Sequence, residues 1–149
     1  MKILLATVSS RDRLHGPAAD LLQLYLERAA RYTPCTQRVF STEAKLLDFF
    51  SSTTARTRPA LFLADSRGQQ LTSEDLATAL GSLQDTGIQQ LVLAIGPADG
   101  WSTTTLGLAT RTIAFGRITL PHELAAVVAA EQLYRALTIR AGHPYHSGH

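Results

Sequence analysis

The chain has 149 residues, 45% of them hydrophobic and 17% charged, a balance that supports one folded domain over 1–149 and argues against disorder. A net charge of +2 with a pI of about 9.0 permits a nucleic-acid partner without demanding one. No apolar run reaches the roughly 18 residues of a membrane span, and the single cysteine, Cys35, excludes an intrachain disulfide.

The first residues, Met1-Lys2-Ile3-Leu4-Leu5, read as the start of a buried strand over Lys2–Val8 rather than as a signal peptide, so a cytoplasmic protein is expected. A helix over Pro17–Tyr32 follows, with Leu21, Leu22, Tyr25 and Leu26 as its apolar stripe. Cys35–Phe40 is a second strand and Thr42–Ser51 a short helix, with a Ser/Thr-rich connection from Ser52 to Pro59. Ala60–Ala64 is a compact strand expected to end in a turn at Asp65-Ser66-Arg67-Gly68. Thr72-Ser73-Glu74-Asp75 opens the next helix, to Asp85, with an N-cap and acids in the first turn. Leu91–Ile95 is the clearest buried strand; a short helix over Thr103–Ala109 and a fifth strand over Arg111–Phe115 come after it. The last helix is expected over Leu120–Arg140, with Thr119 as N-cap and Pro121 in the first turn. The repeated β-α order predicts a parallel α/β sheet.

Ligands of open α/β sheets bind beyond the carboxyl ends of the strands. Two loops stand there: Gly96-Pro97-Ala98-Asp99-Gly100 and Phe115-Gly116-Arg117-Ile118-Thr119-Leu120. Neither matches a dinucleotide or P-loop fingerprint, and each by itself fits an ordinary strand-to-helix turn. His122 is placed to hydrogen-bond at a helix start, although a lone histidine there is more often structural. Leu124, Val127, Val128, Leu133 and Leu137, with Ala125, Ala126, Ala129, Ala130 and Ala136, make the last helix apolar nearly all round. Such a helix is covered on both sides, and a second subunit meeting Ala126, Ala129 and Ala130 is the expected cover. Glu131 and Arg135 stand one turn apart and can form a surface pair of modest worth. His143, His146 and His149 crowd the terminus, but no cysteine or acid joins them at ligand spacing, so no metal is expected. Cys35 reads as an inert core thiol.

Taken in order, these segments resemble the RlmH family of the SPOUT superfamily, methyltransferases of pseudouridine in large-subunit ribosomal RNA. The likeness runs the whole length: the first strand and the Glu27-Arg28 helix, Asp65-Ser66-Arg67-Gly68-Gln69 with Thr72-Ser73-Glu74-Asp75, and Ile95-Gly96-Pro97-Ala98-Asp99-Gly100. It ends with Thr119-Leu120-Pro121-His122, Glu131-Gln132-Leu133-Tyr134-Arg135-Ala136 and Pro144-Tyr145-His146. The resemblance implies an α/β-knot fold with a C-terminal trefoil knot, an exception to unknotted topology that periodicity does not reveal. It implies S-adenosylmethionine held by Ala64, Gly96, Phe115, Gly116, Arg117, Ile118, Thr119 and Leu120. It further implies a homodimer acting on assembled ribosomes, with methylation at N3 of a pseudouridine. Tyr145 and His146 are expected to hold the base or assist its proton loss.

Three positions depart from the family pattern. Pro97 stands where a second glycine is usual and removes a backbone donor. Ala126 replaces an arginine, and Ser147 a basic residue, which lowers the phosphate attraction expected of an RNA-facing surface. They favour the competing reading of a catalytically decayed ribosome- or RNA-binding module. A flavodoxin-like small-molecule binder fits the strand pattern but not the C-terminal motifs.

Overall fold

The computed structural model describes residues 1–11, 14–53 and 56–148. Its elements alternate in chain order: β1 (Lys2–Val8), α1 (Gly16–Ala29), β2 (Cys35–Phe40), α2 (Glu43–Ser51), β3 (Ala60–Gln70), α3 (Ser73–Asp85), β4 (Gln90–Ile95), α4 (Thr103–Leu108), β5 (Arg111–Ala114) and α5 (His122–Ala141). The strands form one sheet in the order β2-β1-β4-β3-β5, and every adjacent pair is parallel. The inner strands β1 and β4 and the first half of β3 are covered on both faces, which is why they read as continuous apolar runs, whereas edge strand β2 is largely polar and exposed.

Side chains leave a strand alternately to either face, and two cores result. Ile3, Leu5, Phe62, Leu91, Leu93 and Ile95 face α1, α3 and α5. Leu4, Ala6, Val8, Leu61, Leu63, Val92 and Ala94 face Leu46 and Phe50 of α2 and the indole of Trp101. Removing one of the fully buried leucines, such as Leu133 on α5, has a typical cost of about 2–5 kcal/mol.

Helix α5 lies across the sheet between α1 and α3 and touches β1 and β4 beneath. Ala126, Ala129 and Ala130 have no exposed surface within the single chain. The expectation that a second subunit covers them is therefore corrected: the chain's own helices and sheet do so. The same burial places Ala126 in the core, not on an RNA-facing surface.

Two boundaries also differ from expectation. β3 does not stop at Ala64; its register with β5 jumps from Ala64 to Gln69, both opposite Ile113, and pairing resumes through Gln70. The expected turn at 65–68 is thus an excursion inside a longer strand, with the Asp65 carboxylate accepting from the Arg67 amide at 2.8 Å. Helix α5 starts at His122 with Pro121 as N-cap, not with Thr119. A residue before proline is disfavoured in the α conformation, so Leu120 stays in the loop. The cap at Thr72 is as the sequence suggests, forming a reciprocal box with Asp75, while Thr42, read as the first residue of its helix, is the N-cap of α2.

Candidate functional site

Strands β4, β3 and β5 are neighbours, so the segments leaving their carboxyl ends converge. Between them lies a cavity of about 810 Å³, lined by residues 64–67, 95–101, 115–116, 118–122 and Ala125, a size within the ordinary range for small-molecule sites. Ala64, Gly96, Phe115, Gly116, Ile118, Thr119 and Leu120 all line it. Arg117 is exposed and lies outside the lining.

Trp101, absent from the sequence expectations, organises one wall. Its indole is buried, and Nε1 donates to the Ala64 carbonyl at 2.9 Å. A Cβ added at Gly96 would stand 2.7 Å from Trp101 Cε2. Glycine is required at 96 because the indole comes so close, and its φ is not among the positive ones. In the facing loop Gly116 adopts φ +105°, a backbone conformation that L side chains rarely adopt. Pro97 lacks an N–H, but its carbonyl accepts from the Gly100 amide at 3.0 Å and closes the loop.

Polar groups at the rim are arranged unevenly. Arg67 donates through Nε and Nη2 to Asp65 at 3.2 Å each, and this hydrogen bonding holds the Asp65 carboxyl below its usual range against the opposing effect of burial. His122 lines the cavity at the start of α5, and its Nε2 is buried with no hydrogen-bond partner among the described residues. A buried ring nitrogen in that condition fits a polar ligand group, because leaving it unpaired costs roughly 1–3 kcal/mol.

The C-terminal tail lies elsewhere. Neither Tyr145 nor His146 lines the cavity. The Tyr145 hydroxyl donates to Glu131 Oε1 at 3.0 Å, and Glu131 stands nine residues beyond His122 on α5, roughly 14 Å along the axis at ~1.5 Å per residue. Within one chain the expected catalytic residues and the expected cofactor residues are not brought together.

A closed polar network holds the tail. Arg135 Nε and Nη2 donate to Glu131 Oε1 at 2.9 and 2.6 Å, while Gln132 donates to the other carboxylate oxygen and accepts from Ser73. Their side chains are only 14% and 17% exposed, so Arg135–Glu131 is not the surface pair that spacing suggests. Arg135 Nη1 lies 3.1 Å from His146 Nδ1, and His146 Nε2 lies 2.7 Å from Glu74 on α3. Arginine can only donate, so Nδ1 accepts and the proton of a neutral ring sits on Nε2 facing the carboxylate. His146 therefore has no lone pair to spare for a base's work while the network holds. Burial, and then the Glu131 hydrogen bond and charge, push the Tyr145 phenol up to about 12.

Burial also raises the Cys35 thiol to about 11, which suits an unreactive core position. Ser147, where a basic residue is usual, donates to the Pro144 carbonyl and closes the tail's last turn. His149, the last of the terminal histidines, lies outside the described residues.

A family model described as predicted SPOUT methyltransferase matches residues 1–146. Ribosomal RNA large subunit methyltransferase H of Koribacter versatilis is 50% identical over 125 residues, covering 84% of this chain and 85% of the relative. The protein of the same name from Mesorhizobium japonicum is 39% identical over 145 residues, covering 88% and 91% respectively. The crystal structure of the SpoU methyltransferase AviRb from Streptomyces viridochromogenes, in complex with the cofactor AdoMet, superposes with a TM-score of 0.53 at 14% identity. That likeness covers 95% of this chain and 58% of the other, and speaks to the fold alone.

Proposed function

Because this chain belongs to the SPOUT methyltransferase family, we propose that it uses S-adenosylmethionine to methylate large-subunit ribosomal RNA, at N3 of a pseudouridine, in the cytoplasm. The observation that carries the cofactor assignment is the cavity itself. Three loops from adjacent strands enclose about 810 Å³, with apolar Ala64, Ile95, Phe115 and Leu120 on its walls and the unpartnered His122 Nε2 at its edge. The trefoil knot belongs to the same proposal, and the convergence of these three loops supports it.

When bound, the cofactor supplies an electrophilic methyl carbon on a sulfonium leaving group, so the acceptor nitrogen has only to lose its proton and stand in line. The residues of this chain then work mainly by positioning. Phe115, Gly116 and residues 118–120 form one wall of the cavity and residues 96–100 another, Trp101 fastens the loop after β4 to Ala64, and His122 offers a hydrogen bond to a polar edge.

The proposal includes a homodimer in which the partner copy brings its tail to the cavity. The separation of roughly 14 Å along α5 supports this, since one chain cannot close its own site with Tyr145 and His146. So does the exposure of Leu21 and Leu24 on α1, Tyr32 after it, Leu124 on α5 and Ile118 in the cavity loop, apolar surface of the kind that marks a contact. Tyr145 and His146 hold the target base in this scheme. The Tyr145 phenol, pushed up to about 12, stays protonated at neutral pH, and His146 Nδ1 is engaged by Arg135.

Calorimetry with S-adenosylmethionine and transfer of labelled methyl to large ribosomal subunits test the proposal together. Saturable binding with methyl incorporated into the RNA is expected. Binding without incorporation would indicate the decayed module, for which Pro97 in the cofactor loop is the specific argument.

A further inference from the structure

A second concave site lies on the same carboxyl edge of the sheet, at the other end of it. Where β2 ends and α2 begins, Arg11, Arg38 and Lys45 line a cleft of about 620 Å³ together with Phe40, Phe49 and one acid, Asp48. The Arg38 guanidinium lies 4.7 Å from the Phe40 ring centre and 5.1 Å from that of Phe49. These cation–π contacts hold the guanidinium beside the two rings, and among the described residues its N–H groups donate no hydrogen bond, an arrangement that suits capture of an anion. Among the described residues neither Arg38 nor Lys45 has a carboxylate within ion-pair distance, and Arg11 has only Glu123 at 3.9 Å. Three cations and one acid thus line the cleft, beside Phe40, Phe49, Val39 and the hydroxyls of Ser41 and Ser52.

The cleft is tied to the candidate cofactor cavity by direct contacts. Glu43 in the first turn of α2 accepts from the amide and hydroxyl of Ser102, the residue immediately after Trp101, at 3.0 and 2.6 Å, and from the Thr105 hydroxyl. Glu123, the partner of Arg11, follows His122. β2 and β4 are separated by β1 alone, which puts the strand ends about 10 Å apart at ~4.8 Å per strand.

We propose that the Arg11–Arg38–Lys45 cleft is an RNA-backbone clamp that receives a phosphodiester of the strand flanking the modified nucleoside; it rests on the methyltransferase reading for its substrate but not for its chemistry. The phosphate is held by charge and by the guanidinium that the two phenylalanines position, without base readout, so the clamp fixes the register of the strand relative to the cavity.

The test uses the full chain and the charge-removing double variant R38Q/K45Q, with R38K as the conservative control. Binding to a single-stranded RNA oligonucleotide is measured across salt concentration, beside S-adenosylmethionine affinity and methyl transfer to large ribosomal subunits. The double variant should bind RNA at least tenfold more weakly at low salt, with a salt slope shallower by roughly 1.4, about 0.7 for each lost cation. Cofactor affinity and kcat should stay within twofold while KM for the subunit rises, and R38K, which keeps the charge but loses the planar fork, should keep the wild-type salt slope with an RNA affinity between wild type and the double variant. Wild-type RNA affinity and slope in the double variant would overturn the clamp, as would a wild type that does not bind RNA. Failure of methyl transfer in a wild type whose RNA binding still depends on Arg38 and Lys45 would defeat the enzymatic reading alone.

Discussion

The indole of Trp101 is hydrogen-bonded to Ala64, Nε1 to carbonyl oxygen at 2.9 Å, and this one bond fastens the loop after β4 to the end of the regular part of β3. The ring fills the space that a side chain at Gly96 would need. Cavity wall and core packing are therefore the same atoms here, because Trp101 also belongs to the core against α2.

Gly96→Val should then lower stability and cofactor affinity together. Overpacking of this kind costs about 1–3 kcal/mol, a fall of a few degrees in melting temperature at ~2–4 °C per kcal/mol. Thermal melting and calorimetry on the same protein check it. An unchanged melting temperature with lost binding would mean that position 96 meets the ligand and not the indole.

Trp101→Phe keeps an aromatic ring but removes the N–H together with part of the buried indole, leaving the Ala64 carbonyl without its donor. A loss of about 1–3 kcal/mol is expected, with cofactor affinity reduced less than in Gly96→Val. Full stability in the variant would show that the bond does not hold the wall.

What the sequence made legible follows from how local each signal is. The bounds of β1 and β2 and the cap at Thr72 depend on neighbouring residues, and the structure places them where the pattern does. The return of β3 through Gln69 and Gln70 depends on Ile113 and Ala114, more than forty positions away and opposite polar side chains that give no strand signal. Trp101 was legible only as a lone tryptophan after Gly100, and nothing in the run announced Ala64 as its partner. The apolar circumference of α5 correctly signalled cover on both sides, but periodicity counts covered faces and cannot say which chain covers them. The tail shows the same limit: Tyr145 and His146 were visible as unusual terminal residues, whereas Glu131, Arg135 and Glu74 meet them only through the fold.

Tyr145 offers a prediction in pH. Its folded value, about 12, lies above the ordinary 10, so the native state favours the neutral phenol. The stability from this group is fully present below pH 10 and is lost as pH rises toward 12. A phenolate titration followed by absorbance, with Tyr145→Phe as the difference sample, should show one tyrosine ionising late. A Tyr145 titrating at the ordinary value would mean that the tail does not dock on Glu131 in solution.

Deleting the chain from Tyr145 onward should abolish methyl transfer while S-adenosylmethionine affinity falls only modestly, since the cavity walls remain. If the tail serves the partner's cavity, mixing the truncated chain with a full-length chain carrying Gly96→Val should restore part of the activity. In such a mixed dimer one intact cavity meets one intact tail. No recovery in demonstrated mixed dimers would defeat the shared-site arrangement.

Methyl transfer to ribosomal RNA is the most direct test of the central claim. Purified protein, labelled S-adenosylmethionine and large ribosomal subunits lacking the modification are incubated together, and the RNA is digested and its nucleosides resolved. The account predicts label in a single nucleoside, a pseudouridine methylated at N3. Cofactor binding with no label in the RNA, or label in a different nucleoside, would contradict it.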